Sequence, residues 1–204
     1  MDQARSEGGA HAAHRPIECP EDYAYVLGLY LGDGHIARLA RTFRLCIYMD
    51  SRYSQIVREA RRALASIMWP NKAAIQARAG VNMMIVRTHS SSLPELFPQH
   101  GPGRKHERPI RLAEWQQAIV DEHPDLFVRG LIQSDGCRAI NKVWGGKYQY
   151  PRYFFTQESV DIMDLFTDAC DRLGIEWAFT KRNTVSVAKR ASVALLDEFV
   201  GPKR

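Results

Sequence analysis

The sequence predicts an α+β protein made of two similar halves, each with the element order αββαββα. Segments with helical and strand-like hydrophobic periodicity alternate along most of the chain. Two nonapeptides, VLGLYLGDG at 26–34 and VRGLIQSDG at 128–136, align without gaps, and the offset between their acids (135 − 33 = 102) is half of the 204 residues. The same order of elements follows each nonapeptide. We therefore expect a pseudo-two-fold pair of units, each with a four-stranded antiparallel sheet and helices on one face.

The first half is predicted to cover residues 21–110 and to follow a flexible N-terminal arm, residues 1–20, which is rich in Gly, Ala and polar residues and ends at Pro20. A helix over EDYAYVLGLYLGDG begins with acidic residues and stops at Gly34. The elements that follow are two strands, a helix, a hairpin and a short helix: HIARLA, FRLCIYMD, SRYSQIVREARRALASIMW, KAAIQARA with NMMIVRTH, and SSLPELF.

A linker helix at 111–123, LAEWQQAIVDEH, leads to the second half at 124–204, where the order of elements returns. The helix PDLFVRGLIQSDG again stops at a glycine. After it come strands around a GGK turn, an amphipathic helix, a hairpin and a last helix: CRAINKVW and YPRYFFTQ, ESVDIMDLFTDACDRLG, IEWAFTK with TVSVAK, and ASVALLDEFVG.

Composition excludes several classes of protein. The hydrophobic content of 45% and charged content of 25% argue against disorder, and no apolar run is long enough to span a membrane. The first sixteen residues lack the apolar segment of a secretory signal. Four cysteines show no zinc-binding spacing, so we expect reduced, mostly buried thiols in a cytosolic protein, which is cytoplasmic (bacterial and nucleoid-associated) or organellar.

The charge balance favours an anionic partner. The net charge is +5, and 21 of the 28 basic residues are Arg. The planar fork of arginine fits phosphates and guanine edges, so this bias suits nucleic acid, although a GC-rich genome produces the same bias.

The repeated helices are predicted to pack side by side at the centre of the molecule. Each carries small residues four positions apart, which lie on one helix face and allow close backbone approach: Gly28 and Gly32, then Gly130 and Ser134. This packing brings together Asp33 and Asp135 at the helix ends, where two carboxylates repel each other and the helix dipole. A divalent cation relieves that repulsion, and oxygen ligands favour Mg²⁺. Phosphodiester hydrolysis with Mg²⁺ is the chemistry that such a site supports.

One face of each predicted sheet carries alternating polar side chains suited to reading base edges in the DNA major groove. A register error of one residue would exchange this face with the core face. The predicted DNA-binding residues are Arg38, Arg44, Tyr48, Gln76, Arg78, Arg138, Asn141, Lys142, Arg152, Lys181 and Arg182.

With these motifs, the sequence resembles the LAGLIDADG homing endonucleases of the single-chain, two-motif type, over about residues 21–204. The resemblance implies a saddle of two αββαββα units over double-stranded DNA, acting as an intron-encoded monomer. It also implies double-strand cleavage with Mg²⁺, for which Mn²⁺ can substitute, at a long specific site, one strand per half. The acid that closes each motif is the metal ligand, which corresponds to Asp33 and Asp135.

Further site residues follow from the same resemblance. Gln157 matches a glutamine that organises water near the metal, and the matching place in the first half holds Asp50. Lys105 fits an assisting lysine in the loop after the second hairpin, and Lys203 is its counterpart near the end of the chain. The predicted catalytic residues are Asp33, Asp135, Lys105 and Gln157, and the predicted metal-binding residues are Asp33, Asp135, Gly32 and Ser134.

Two further functions remain open at this point, because a fold does not determine a function. The first is a non-catalytic, sequence-specific DNA-binding protein or transcriptional regulator on the same scaffold. The second is an RNA maturase. Cleavage in Mg²⁺, binding without strand scission, and preference for structured intron RNA would distinguish the three.

Overall fold

The structure is a computed structural model that describes residues 17–203. It confirms the predicted α+β class, with two αββαββα units joined by one helix. The first unit contains α1 Pro20–Asp33, β1 Gly34–Arg38, β2 Phe43–Asp50, α2 Ser54–Ile67, β3 Ala74–Arg78, β4 Met83–Ser90 and α3 Leu93–Leu96. After a loop with a 3₁₀ turn at Lys105–Glu107, helix α4 Glu114–Glu122 leads to the second unit.

The second unit repeats this order. Its elements are α5 Pro124–Asp135, β5 Gly136–Val143, β6 Tyr148–Thr156, α6 Val160–Arg172, β7 Ala178–Lys181, β8 Thr184–Val187 and α7 Arg190–Phe199. A 3₁₀ turn at Trp144–Gly146 joins β5 to β6.

Each unit holds one antiparallel four-stranded sheet, with the orders β1-β2-β4-β3 and β5-β6-β8-β7. Strand register assigns the two faces. In β2, Leu45, Ile47 and Met49 are buried on the helix-covered face, while the residues between them lie on the opposite face. In β6, Tyr153 and Phe155 are the buried counterparts. We call the side of each sheet opposite these buried residues its open face.

Helices α1 and α5 pack against each other with their backbones in contact. A Cβ added to Gly28 would lie 2.4 Å from the carbonyl oxygen of Phe127, and one added to Gly130 would lie 2.4 Å from that of Tyr25. Helix α1 is buried on all sides from Tyr23 to Leu31, which is typical of a helix inside a core. The repeated helices therefore form the centre of the molecule, as their small residues predict.

The structure bears on two expectations, the extent of the N-terminal arm and the burial of the cysteines. The arm was predicted at residues 1–20. Residues 1–16 lie outside the described part of the chain, and Pro20 is already the first residue of α1. Only Cys46 and Cys170 are buried, whereas Cys137 is exposed on β5 and Cys19 is half-buried, because strand and helix-end positions leave them at the surface. Within residues 17–203, no helix has the length and apolar character needed to cross a membrane.

Candidate active site

The close packing of α1 and α5 brings Asp33 and Asp135 together. Each acid is the last residue of its helix, and a glycine follows it as the first strand residue. A Cβ added to Gly32 would lie only 2.9 Å from Oδ2 of Asp135. The side chain of one acid therefore lies against the backbone of the neighbouring helix, one residue from the other acid.

A lysine caps the end of each of these helices. Lys105 Nζ donates to the carbonyl oxygens of Tyr30, Leu31 (3.0 Å) and Gly32 (3.1 Å) at the end of α1. Lys203 Nζ donates to the carbonyl oxygen of Ser134 at the end of α5, at 3.2 Å. Terminal carbonyls have no partner within a helix, and the dipole favours a cation there, so both ammonium groups are held where their charge is stabilised.

Two cavities flank the helix ends, and each combines residues of both units. One, of about 390 Å³, is lined by Asp135 and Gln157 of the second unit together with Lys105 of the first. The other, of about 220 Å³, is lined by Asp33 and Asp50 of the first unit and Lys203 of the second. We call these the Asp135 site and the Asp33 site. Each therefore contains an acid from one unit and a lysine from the other.

The pKa values of the two acids reflect that each shares its cavity with a lysine of the other unit. Burial, and after it the charge of Asp33, raises the pKa of Asp135 to about 6, while Lys105 is the strongest opposing influence. Burial also raises the pKa of Asp33, opposed first by Lys203. Burial lowers the pKa of Lys105 to about 8, against the attraction of both acids. Shifted acid and base groups in one cleft are characteristic of functional sites.

Gln157 orients the carboxylate of Asp135. Its Oε1 accepts a hydrogen bond from the backbone N–H of Ser159 at 3.2 Å, which leaves Nε2 to donate to Asp135 Oδ2 at 2.9 Å. The backbone N–H of Gln157 donates to the carbonyl oxygen of Asn183 at 3.0 Å. The residue is therefore fixed at both its backbone and its side chain.

The donor set fits a hard divalent cation. Two partly buried carboxylates lie at the ends of adjacent helices. Carboxylate and carbonyl oxygens are the ligands that Mg²⁺ accepts alongside water and phosphate. The carbonyl oxygens of Gly32 and Ser134, both predicted metal-binding residues, accept hydrogen bonds from Lys105 and Lys203. Within residues 17–203 no group of three or more His, Cys, Asp or Glu side chains is arranged to hold a metal. Such a cation would be held by the two acids, with its other ligands from backbone, water and substrate.

The register places most of the predicted DNA-binding residues on the open faces. Arg44, Tyr48, Gln76 and Arg78 occupy the open face of the first sheet. Asn141, Arg152 and Lys181 pair with other open-face residues of the second sheet, Tyr150, Ala139 and Thr184. Their contact with DNA stays a prediction.

The predicted face was wrong for three residues. Arg38 pairs with Phe43 and alternates with the buried Ile36, so it belongs to the helix-covered side of its strand. Arg138 lies opposite Tyr153 and binds Asp197 on α7, with Nε 2.7 Å from Oδ1. Lys142 lies on the same side of β5 as Arg138. Alternate residues of a strand lie on opposite faces of the sheet, so these three residues lie on the face opposite to the open one. Arg182 lies in the β7–β8 turn and binds Glu158 at 2.9 Å.

Sequence reasoning missed several residues at these surfaces. Arg87 and His89 lie on the open face of β4, opposite Cys46 and Arg44. The alternation of residues along β4, matched to Arg44 on the neighbouring strand, could have identified them. Lys203, the counterpart of Lys105 near the end of the chain, caps α5.

No protein-family model matches the chain, and no curated protein is similar to it in sequence. Its structure is similar to solved structures of a homing endonuclease. The crystal structure of I-DmoI in complex with DNA and Mn is 13% identical, covers 91% of this chain and 98% of that chain, and has a TM-score of 0.56. The I-DmoI complex with DNA and Ca is 15% identical, with coverages of 88% and 89% and a TM-score of 0.56.

A second protein shows the same likeness. The LAGLIDADG meganuclease I-AabMI bound to uncleaved DNA is 13% identical, with coverages of 87% and 82% and a TM-score of 0.51. The fold and the paired helices thus define the class, a two-unit LAGLIDADG scaffold. More particularly, this chain has the single-chain, two-motif fold of the LAGLIDADG homing endonucleases.

Proposed function

We propose that this protein is a site-specific, homing-type endonuclease that cleaves both strands of double-stranded DNA with Mg²⁺ or Mn²⁺. One observation carries the proposal. The two motif acids meet at the ends of adjacent helices, and each shares a cavity with a lysine of the other unit. The I-DmoI structures in complex with DNA and Mn or Ca support divalent metal use and a DNA partner.

The open faces of the two sheets are the proposed DNA-binding surface. Together they carry Arg44, Gln76, Arg78, Asn141 and Arg152 at positions from which side chains can reach base edges. Asp33 and Asp135 lie where the two units meet, because the helices that carry them pack together and each acid immediately precedes the first strand of its own sheet. A duplex bound across both sheets would therefore place its backbone over the acids.

The chemistry is phosphodiester hydrolysis at each site. A bound Mg²⁺ would polarise the phosphate and lower the pKa of bound water. Asp33 and Asp135 would hold the cation, and Gln157 keeps the Asp135 carboxylate in one orientation. Lys105 and Lys203 place positive charge beside the scissile phosphate, where negative charge increases during the reaction.

Selection followed by cleavage tests the proposal. DNA duplexes with a long randomised segment are selected for binding to the protein in Ca²⁺. The selected duplex is washed with EDTA to remove Ca²⁺ and is then incubated with Mg²⁺, Mn²⁺ or EDTA. We expect cleavage of both strands with Mg²⁺ or Mn²⁺ only. Asp33→Asn and Asp135→Asn should lose cleavage and keep binding, and Asp168→Asn, a change on the exposed surface of α6, should alter neither.

Other outcomes would support the alternative functions. Tight binding of the selected duplex without scission in any metal would indicate a DNA-binding protein or regulator. Preferential binding of structured intron RNA over that duplex would indicate a maturase.

A further inference from the structure

We propose that a buried pair of glutamines, Gln99 and Gln116, positions Lys105 at the Asp135 site, although both side chains lie in the core, outside the cavity of that site. Lys105 lies near the middle of the loop 97–113, which joins α3 to α4. The inference rests on the proposed endonuclease function, because Lys105 is one of its proposed catalytic residues. The two glutamines are then positioning residues, which act on cleavage through Lys105.

The two glutamine amides bind each other in both directions. Gln99 Nε2 donates to Gln116 Oε1 at 2.5 Å, and Gln116 Nε2 donates to Gln99 Oε1 at 3.2 Å. The other amide hydrogen of Gln99 goes to the carbonyl oxygen of Arg111 at 2.8 Å. That of Gln116 goes to the hydroxyl of Tyr23 at 2.6 Å, and Gln116 Oε1 also accepts from the backbone N–H of Ala113 at 3.0 Å. Each amide hydrogen therefore has its own acceptor, and turning either amide over would place like groups against each other.

These bonds close the base of the loop that carries Lys105. Gln99 lies near the start of the loop, and the backbone groups of Arg111 and Ala113 lie at its end. The network also reaches α1 through the hydroxyl of Tyr23. Since α1 is the helix whose last carbonyl oxygens bind Lys105, the loop is fastened to the same helix at its base and at its tip.

Arg108 connects the base of the loop to the surroundings of Lys105. Its Nη1 donates to the backbone carbonyl oxygen of Gln99. Its positive charge lies close enough to Tyr30 to oppose the burial that raises the pKa of that residue to about 12. Lys105 Nζ in turn lies 4.8 Å from the centre of the Tyr30 ring. A displacement of Gln99 would therefore disturb the groups against which the ammonium of Lys105 is held.

Stability alone does not require a polar pair at this place in the core. Gln99 is 4% exposed, and Gln116 and Tyr23 are fully buried. Buried hydrogen bonds replace bonds to water in the unfolded chain, so replacing both partners by apolar groups of the same shape can be nearly neutral. A fully satisfied polar network instead favours one conformation, because every alternative leaves a buried group unpaired. The pair is therefore suited to holding the loop in a single position.

The double variant Gln99→Met/Gln116→Met tests this role, because methionine is an unbranched side chain that fills the space without the amide. We expect a melting temperature close to that of the native protein and an unchanged affinity for the selected duplex in Ca²⁺. Single-turnover cleavage in Mg²⁺ should be at least about tenfold slower, since misplacing a catalytic group by about 1 Å can cost about 100-fold. Gln117→Met, on the surface of the same helix, is the matched control and should alter none of these.

A further set of variants shows whether the pair acts through Lys105. Lys105→Met removes the ammonium group and should itself slow cleavage. Adding Lys105→Met to the double variant should cause no greater loss than Lys105→Met alone, because residues that act as one unit are not additive. Losses that multiply, or a Lys105→Met variant that cuts at the native rate, would overturn the proposal.

Limited digestion with trypsin examines the loop without any cleavage of DNA. Arg104 and Lys105 are the trypsin sites near its tip, and mass spectrometry identifies the fragments. The double variant should be cut there at least about fivefold faster than the native protein, because a loosened loop opens more often. Gln117→Met should be cut at the native rate. Tyr23→Phe, which removes only the hydroxyl, should change digestion and DNA cleavage in the same directions as the double variant, and it replaces that variant if the latter does not fold.

The outcomes separate this inference from the endonuclease function. A double variant that folds and cuts DNA at the native rate, or whose loop resists trypsin as the native loop does, would overturn the role of the glutamines and leave the endonuclease intact. Absence of any cut in a duplex bound by the native protein would refute the endonuclease, and with it the effect on cleavage. The digestion would then still decide whether Gln99 and Gln116 hold Lys105 in place.

Discussion

At the scale of single residues, the two motif acids show a conflict between stability and function. Both are partly buried, both have raised pKa values, and both lie at the negative ends of two adjacent helices. Two lysines offset part of this cost. An arrangement that is unfavourable for the protein alone is well suited to a cation and a phosphate, because binding relieves the repulsion.

The raised pKa values predict how stability depends on pH. An acid whose pKa is higher in the folded state contributes most to stability below its unfolded pKa, near 4, and this contribution is lost as the pH rises through its folded pKa. For Asp135 the folded pKa is about 6. In EDTA at pH 7.5, the melting temperature of Asp135→Asn should therefore lie a few degrees above that of the native protein, which corresponds to about 1–3 kcal/mol in the free energy of unfolding. This difference should shrink as the pH falls from 6 to 4.

Thermal denaturation from pH 4 to 7.5 measures this difference. Asp168→Asn, at an exposed position, should show no such pH-dependent gain. An Asp135→Asn variant that melts below the native protein at neutral pH would contradict the electrostatic account of the site.

At the scale of elements, the contact between α1 and α5 depends on glycine. Added Cβ atoms at Gly28 and Gly130 would meet backbone oxygens at 2.4 Å, closer than such atoms ever approach in proteins. Backbone cannot move aside as a flexible side chain can, so the helices would separate, and with them Asp33 and Asp135. The same two residues thus determine both the packing and the site.

Gly28→Ala is expected to destabilise the fold by about 1–3 kcal/mol or more, even though alanine is the better helix former. The matched control is Gly101→Ala. At Gly101 the nearest atoms to an added Cβ belong to the flexible side chain of Arg108, at 3.4 Å or more, so the change should stay within about 0.5 kcal/mol. Urea denaturation of both variants measures the difference, and equal stabilities would argue against backbone contact between the helices.

At the scale of the whole molecule, the positive charge is expected to govern association with DNA. The net charge is +5, and arginines lie on the open faces of both sheets, Arg44, Arg78 and Arg87 on the first and Arg152 on the second. Phosphate contacts release counterions, so the affinity falls as salt increases.

Each lost phosphate contact should reduce the slope of log affinity against log salt concentration by about 0.9. Arg78→Ala is expected to reduce the slope by up to this amount, measured by fluorescence anisotropy on the selected duplex in EDTA. Arg61→Ala, at an exposed position of α2 on the helix-covered side of the first sheet, removes the same charge and should leave the slope unchanged. An affinity that does not respond to salt would contradict binding through these faces.

Much of the architecture could be predicted from local pattern. The two nonapeptides, the spacing of Gly28 and Gly130, and the alternation of helical and strand-like segments determine two units with their first helices packed together. These signals lie within a few residues of each other, so sequence alone carries them. Asp33 and Asp135 follow from the same segments, because each is the last residue of a helix whose packing was already determined.

The tertiary structure alone decided which lysine shares a cavity with which acid. Lys105 and Lys203 reach the helix ends through loops that close over about 70 residues of chain, 105 to 32 and 203 to 134, and no local pattern records where such a loop ends. The tertiary structure also decided on which side of the sheet Arg138 lies. The two-residue period of a strand allows either face, and the contacts with Tyr153 and Asp197 select one. The type and order of helices and strands depend on local sequence, whereas the partner of a side chain depends on contacts between residues far apart in the chain.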